Sequence, residues 1–284
     1  MRTKTHHLPD IDICFDDWEG DGRPVIFLHA TGFSRGCWRP MAAALAERCR
    51  PILVDLPGHG GSSGPATPVS WGALADSVGS LIQEQGWENA LLVGHSVGGA
   101  TAVEIAGRIG ASVAGVVLVE PVVIEPDRTT GGGANGSPLL ERTRQRRAVW
   151  ATRDEAVEYL AGRAPYSLWA RPVFESWVET GIIPRDGEWG LSCPPSVEAD
   201  IFETTGGSRV ADYLPLLRCP VWLCRATGSL GMRTTCAPSV ARRIPSCMEF
   251  VIPGSGHFLP LQYPEFVVSL VMLALEELEG ASPA

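Results

Sequence analysis

The segment LLVGHSVGGATAVEIA (91–106) sets Ser96 among small residues, as Gly94-His95-Ser96-Val97-Gly98. A serine hydroxyl is a weak nucleophile until a base takes its proton and fixed donors receive the negative charge that develops on the substrate. The pattern G-x-S-x-G, directly after an apolar run and before helical spacing, suits such chemistry, because a sharp turn presents Oγ and small neighbours let strand and helix approach closely. The next amide, that of Val97, then faces the oxyanion. The bland alternative is a strand-to-helix turn with an incidental serine. It loses ground because other chemistry-bearing residues also follow apolar strands.

His29-Ala30-Thr31-Gly32 follows the run VIFL, where the Thr31 N–H would be the second oxyanion donor and His29 would fix the loop. An ordinary turn using a glycine is the simpler reading of that tetrapeptide. Six histidines are candidates for the base: His6, His7, His29, His59, His95 and His257. Only His257, in the glycine-rich PGSGHFLPLQYPEF between the last strand and the last helix, has a setting from which it can reach a serine at another strand's end. His95 is read as a support, and His6 and His7 as part of a mobile start.

A neutral imidazole needs a carboxylate at Nδ1–H so that Nε2 faces the serine. The segment PVWLCRATGSLGMRTTCAPSVARRIPSCM, from which a carboxylate beside the last strand could come, holds neither Asp nor Glu. The preceding strand ends VVLVEPVV, so the acid is assigned to Glu120, with Asp127 and Glu125 as less favoured options. The glycine turn DLPGHGGSSG (55–64) lacks the Lys-Ser/Thr ending and helix start of a phosphate cradle. It reads instead as a tight loop near the site, shaped by Asp55 and His59.

These residues need a scaffold that brings strand ends together. PVIFLHA (24–30), PILVDL (51–56), ALLVGH (90–95) and AGVVLVE (114–120) are short, β-branched and apolar on both faces, with helical patterns between them. The fold class is therefore α/β, a mostly parallel central sheet flanked by helices. The pattern stops after Glu120 and returns at PVWLCRA (220–226), MEFVIPG (248–254) and a helix near 264–278. The core is assigned to 1–121 and 216–284. Residues 122–215 are assigned to a helical lid inserted between two sheet strands, with helices near 139–150 and 153–163. Five of the nine tryptophans, Trp150, Trp169, Trp177, Trp189 and, at the border, Trp222, fall in or beside the insertion, and such aromatic weight suits a pocket cover.

Bulk composition excludes several function classes. At 284 residues the chain can bury a sizeable core, and with 45% hydrophobic and 19% charged residues it is ordinary for a globular protein. Its net charge of -9 disfavours nucleic acid, Arg142, Arg144, Arg146 and Arg147 being only a local basic cluster. There is no apolar run of membrane-spanning length and no secretory h-region, so the expected location is cytoplasmic. The eight scattered cysteines read as buried free thiols.

HATG at 29, DLPGHGGSS at 55, GHSVGG at 94 and GSGHF at 254, in that order, resemble the lidded branch of the α/β-hydrolase superfamily. The resemblance implies Ser96 as nucleophile and His257 as base. Haloalkane dehalogenases of this fold offer a precedent for an acid at Glu120's position. The family's loop usually reads His-Gly, where this chain has Ala30. The expected activity is carboxylic ester hydrolysis through an acyl-enzyme, with a small-molecule ester as substrate and no metal or organic cofactor. A lactonase or a C–C bond hydrolase is the alternative on the same triad, and a ligand receptor that retains its triad is the alternative from another class. A serine nucleophile disfavours haloalkane and epoxide hydrolysis, which need a carboxylate to form the alkyl-enzyme ester.

Overall fold

The computed structural model describes residues 1–64, 69–123, 138–228 and 236–280. Eight strands form one sheet: β1 (Arg2–Leu8), β2 (Ile11–Asp17), β3 (Pro24–Leu28), β4 (Arg50–Val54), β5 (Ala90–His95), β6 (Val113–Val119), β10 (Val221–Ala226) and β11 (Cys247–Ile252). Their order is β1-β2-β4-β3-β5-β6-β10-β11. The β1–β2 and β2–β4 pairs are antiparallel and all the others parallel.

The central strands are buried along their length, which is why they read as continuous apolar runs. Helices α1 (Arg39–Leu45), α2 (Trp71–Glu84) and α3 (Val97–Arg108) cross between them, and a long helix, Pro264–Gly280, follows β11. Two apolar clusters result, one on each face. One holds the buried sides of α2 and α3 with Ile26, Ile52 and Leu92. The other joins Phe27, Leu53 and Val93 to α1, to the Pro264–Gly280 helix and to Trp150, Trp169 and Trp177. Among the described residues no helix is long and apolar enough to cross a membrane.

Two expectations need correction. His6 and His7 do not lie in a loose start but in β1, where they meet Glu84 at 2.8 Å and Asp12 at 2.7 Å. Strand β1 alternates exposed and half-buried residues at an edge of the sheet, so it has polar side chains on both faces and no apolar signature. The segment between β6 and β10 is not wholly helical. It contains α4 (Pro138–Gln145), α5 (Arg153–Ala161), α6 (Arg171–Gly181) and α7 (Pro195–Glu203), but also β7 (Val149–Trp150), β8 (Ile182–Arg185) and β9 (Glu188–Leu191), a small antiparallel sheet ordered β7-β9-β8. The helix expected near 139–150 thus ends at Gln145, and Val149 and Trp150 pair with Gly190 and Trp189.

Candidate active site

Ser96 joins β5 to α3 with φ +57° and ψ −120°, a backbone conformation that side chains other than glycine rarely adopt. The surrounding contacts enforce it: the Ser96 N–H donates to Val119 O (3.3 Å), and its carbonyl accepts from Val122 (3.2 Å) and Ala100 (3.1 Å). A Cβ at Gly98 would collide with the Leu28 carbonyl, and one at Gly99 would stand 2.9 Å from Pro121 Cβ. The glycines therefore let the start of α3 press onto the ends of β3 and β6.

His257 stands in the loop after β11, its Nε2 3.0 Å from Ser96 Oγ. Its main-chain carbonyl accepts the Nε2–H of the buried His95 at 2.7 Å, which gives His95 the expected supporting part. Burial holds the His95 pKa well below 6.5, so the ring is neutral.

Glu120 is fully buried just beyond β6, also in the left-handed region, with φ +46°. One carboxylate oxygen, Oε2, faces His257 Nδ1 at 3.5 Å, and the other, Oε1, accepts the Ala226 N–H at 2.6 Å. Its main-chain N–H donates to Cys224 O at 2.8 Å. The side chain therefore starts on β6 and is anchored at the end of β10. The carboxylate thus spans the ends of two neighbouring strands. Glu125 and Asp127 lie outside the described residues.

Beside the serine, the loop after β3 turns tightly, with Phe33 N–H donating to Ala30 O at 3.2 Å and Gly32 at φ +81°. Ala30 has no positive φ, so it fits where the resembled family keeps glycine. Among the described residues, the Thr31 and Val97 N–H groups have no protein acceptor. His29 does fix this loop, and His59 and Asp55 shape the next one. Asp55 accepts the Arg35 N–H (2.7 Å) and the Gly61 N–H (2.7 Å) and pairs with the Arg35 guanidinium, which also donates to Asp16 at 2.9 Å. These two carboxylates push the Arg35 pKa further up, against its burial.

Sequence reasoning missed this buried arginine. Its partners Asp16 and Asp55 come from two other strands, so no local spacing marks them. A second unforeseen pair belongs to the insertion, where Arg146 Nη2 lies 2.8 Å from Glu198 Oε2. Helix α7 rests on both site loops: a Cβ at Gly58 would stand 2.6 Å from Val197 Cγ1, and one at Gly32 2.9 Å from Glu198 Oε1. Burial raises the Glu198 pKa, and Arg146 draws it down. An aromatic cluster also borders the site. Phe33 meets Trp169 (4.8 Å) and Phe258 (6.1 Å) between ring centroids, Tyr166 meets Trp177 (4.7 Å), and Phe258 meets His257 (5.5 Å). No group of three or more potential metal ligands occurs among the described residues.

Known proteins of similar sequence and structure share the family and the fold. The model of a family described as the alpha/beta hydrolase family matches residues 25–270. The 2-(acetamidomethylene)succinate hydrolase of Mesorhizobium japonicum is 29% identical over 261 residues, 89% of this chain and 88% of that protein. The crystal structure of an E-2-(acetamidomethylene)succinate hydrolase superposes with TM-score 0.81 at 23% identity, covering 97% of this chain and 99% of that one. An esterase from Thermogutta terrifontis, solved with malate bound, gives TM-score 0.72 at 24% identity, covering 98% and 99%.

Proposed function

The chain belongs to the alpha/beta hydrolase family, and from that premise we propose that it is a serine hydrolase that cleaves carboxylic acid derivatives, esters first, through an acyl-enzyme. The observation that carries this reading is the line from Ser96 Oγ to His257 Nε2 (3.0 Å) and from His257 Nδ1 to Glu120 Oε2 (3.5 Å). Ser96 Oγ attacks the substrate carbonyl as His257 Nε2 takes its proton, and Glu120 holds the imidazole's tautomer and stabilises the imidazolium. The Thr31 and Val97 amides receive the oxyanion. His257 then protonates the leaving group. Water, activated by the same nitrogen, attacks the acyl-enzyme and frees the acid and Ser96.

Residues 122–215 act in this reading as a lid. Tyr166, Trp169 and Trp177 pack in one aromatic cluster with Phe33 and Phe258, and in this reading that cluster is the wall the substrate meets. Amide cleavage is the second reading. It is favoured by the Mesorhizobium japonicum relative, whose name specifies an acetamido substrate and which matches along 89% of this chain.

A panel of short p-nitrophenyl esters and N-acetyl enamine dicarboxylates tests both. Hydrolysis is expected with at least one class, and Ser96→Ala should lower its rate at least about 10²-fold. Full activity in Ser96→Ala would sink the assignment. Tight binding of panel members without turnover would favour a ligand receptor instead.

A further inference from the structure

We propose that His29 and His59 form a reciprocal clasp that aims the Thr31 N–H, making both of them positioning residues for the oxyanion hole. The clasp rests on the reading of that amide as an oxyanion donor. The two rings lie in different loops, His29 directly after β3 and His59 after β4, with centroids 5.0 Å apart. Both are fully buried or nearly so.

Each ring touches one carbonyl and one amide. His29 Nδ1 is 2.8 Å from Ala30 O, and His29 Nε2 is 3.0 Å from the Leu56 nitrogen. His59 Nδ1 is 3.0 Å from Pro57 O, and His59 Nε2 is 3.0 Å from the Gly32 nitrogen. A carbonyl cannot donate and an amide N–H cannot accept, so both rings carry their proton on Nδ1 and present a bare Nε2. Each histidine thus accepts an amide from the other's loop, His29 from the loop after β4 and His59 from the loop after β3.

The consequence falls on Thr31. A trans peptide is planar, so the direction of its carbonyl fixes its N–H on the opposite side. The carbonyl of Ala30, which shares its peptide plane with the Thr31 N–H, is held from two sides: by His29 Nδ1–H at 2.8 Å and by the Phe33 N–H at 3.2 Å. The next plane, Thr31 to Gly32, is held by its own N–H on His59. Both planes flanking the Thr31 Cα are therefore pinned, and the Thr31 N–H, in the first of them, is left for a substrate. Protonating either ring would turn an accepting nitrogen into a donor facing an amide hydrogen. Burial opposes that, lowering the His29 pKa to about 4 and the His59 pKa to about 3. The charged groups facing the pair are Asp55, with Oδ1 4.0 Å from His29 Nε2, and Arg35, which is bound to Asp55.

The test uses the full chain and a fluorophosphonate, which phosphonylates an activated serine and places an oxygen where the oxyanion would lie. His29→Leu and His59→Leu should label at Ser96 about 10²-fold more slowly than wild type, near the loss of one oxyanion donor. With a hydrolysed substrate, the loss should appear in kcat rather than KM. His29→Asn keeps a donor near the Nδ1 position, and His59→Gln keeps an acceptor near Nε2; both should stay within about tenfold of wild type. Leucine variants that fold and label at the wild-type rate overturn the clasp, as do Asn and Gln variants slowed as much as leucine. A wild-type protein that does not label at all overturns the serine-hydrolase reading itself. Should the leucine variants fail to fold, histidine side-chain nitrogen NMR of the wild type decides. Nδ1–H tautomers assigned to both His29 and His59 between pH 5.5 and 8 support the clasp, and an Nε2–H ring at either position overturns it.

Discussion

In the loops after β3 and β4, His29, His59, Asp55, Arg35 and Ser62 are buried and hydrogen-bonded, largely to main chain. Among the described residues, the buried indole N–H groups of Trp150, Trp169 and Trp177 in the segment between β6 and β10 have no protein acceptor, and neither has Arg146 Nε; in the loops the Trp38 indole is likewise without one. An orphaned buried donor costs about 1–3 kcal/mol, whereas a main-chain bond both satisfies a group and fixes its direction. The loops are therefore built to hold geometry. The insertion is built largely from ring faces, whose contacts tolerate small displacements. If that contrast is functional, damage to the loops should appear in kcat, and damage to the insertion in KM and stability.

The largest expected effect is Glu120→Gln. An amide can still occupy the volume and accept the Ala226 N–H, but it no longer stabilises an imidazolium, so kcat should fall about 10³- to 10⁴-fold with KM little changed. Steady-state kinetics on the best ester or amide substrate checks this. A change confined to KM would break the contrast and move the acid elsewhere.

Trp177→Ala probes the other side. Trp177 is 1% exposed and meets Tyr166, Trp169 and Phe174 at 4.7, 5.6 and 6.0 Å. Truncation should cost about 3–5 kcal/mol in denaturant unfolding. KM should rise about tenfold or more while kcat changes less, a split read from the same assay as Glu120→Gln. An unchanged KM would remove the cluster from the binding surface.

Much of the site was legible because each main piece follows an apolar strand. Ser96, Glu120 and His257 sit at the ends of β5, β6 and β11, and parallel strands bring their C-terminal ends to one edge. What was not legible is non-local. The bonds from His29 to Leu56 and from His59 to Gly32 each span 27 positions, and Arg35 meets Asp16 of β2 and Asp55 just past β4. Strand β7 is two residues long and exists only through its pairing with β9. Strand β1 carries polar side chains on both faces, and the alternation that would betray it is one of half-burial rather than hydrophobicity.

The contrast also predicts where acid acts first. All six histidines lie outside 138–216, and three of them, His29, His59 and His95, are held neutral by burial. The unfolded chain protonates each near pH 6.5, so between there and the folded pKa values of about 4 for His29 and about 3 for His59 the unfolded state binds more protons. Stability is thus fully present above about pH 6.5 and declines as pH falls through that window. Asp16 and Asp17, held low by arginine and lysine partners, add to the loss once pH drops into the ordinary carboxylate range. Melting temperature should fall from pH 6.5 to 4. Hydrogen exchange at pH 5 should show amides near Gly32 and Leu56 opening before those of α6; earlier opening in α6 would reverse the comparison.

The smallest effect concerns charge rather than shape. Arg146 and Glu198 offset one another, and the Glu198 carboxylate lies against Gly32, next to the Thr31 amide. Glu198→Gln keeps the volume and leaves Arg146 uncompensated, so a site nearly neutral at that point becomes cationic. Carboxylate-bearing substrates should then gain in kcat/KM relative to neutral ones of the same length by about three- to tenfold, with the gain shrinking as salt rises. Arg146→Met should shift the ratio the other way, because the remaining carboxylate repels an anion. Because the pair is in the insertion, both shifts should come through KM. A shift in kcat would place Glu198 with the loops that aim the donors rather than with the surface that selects the substrate.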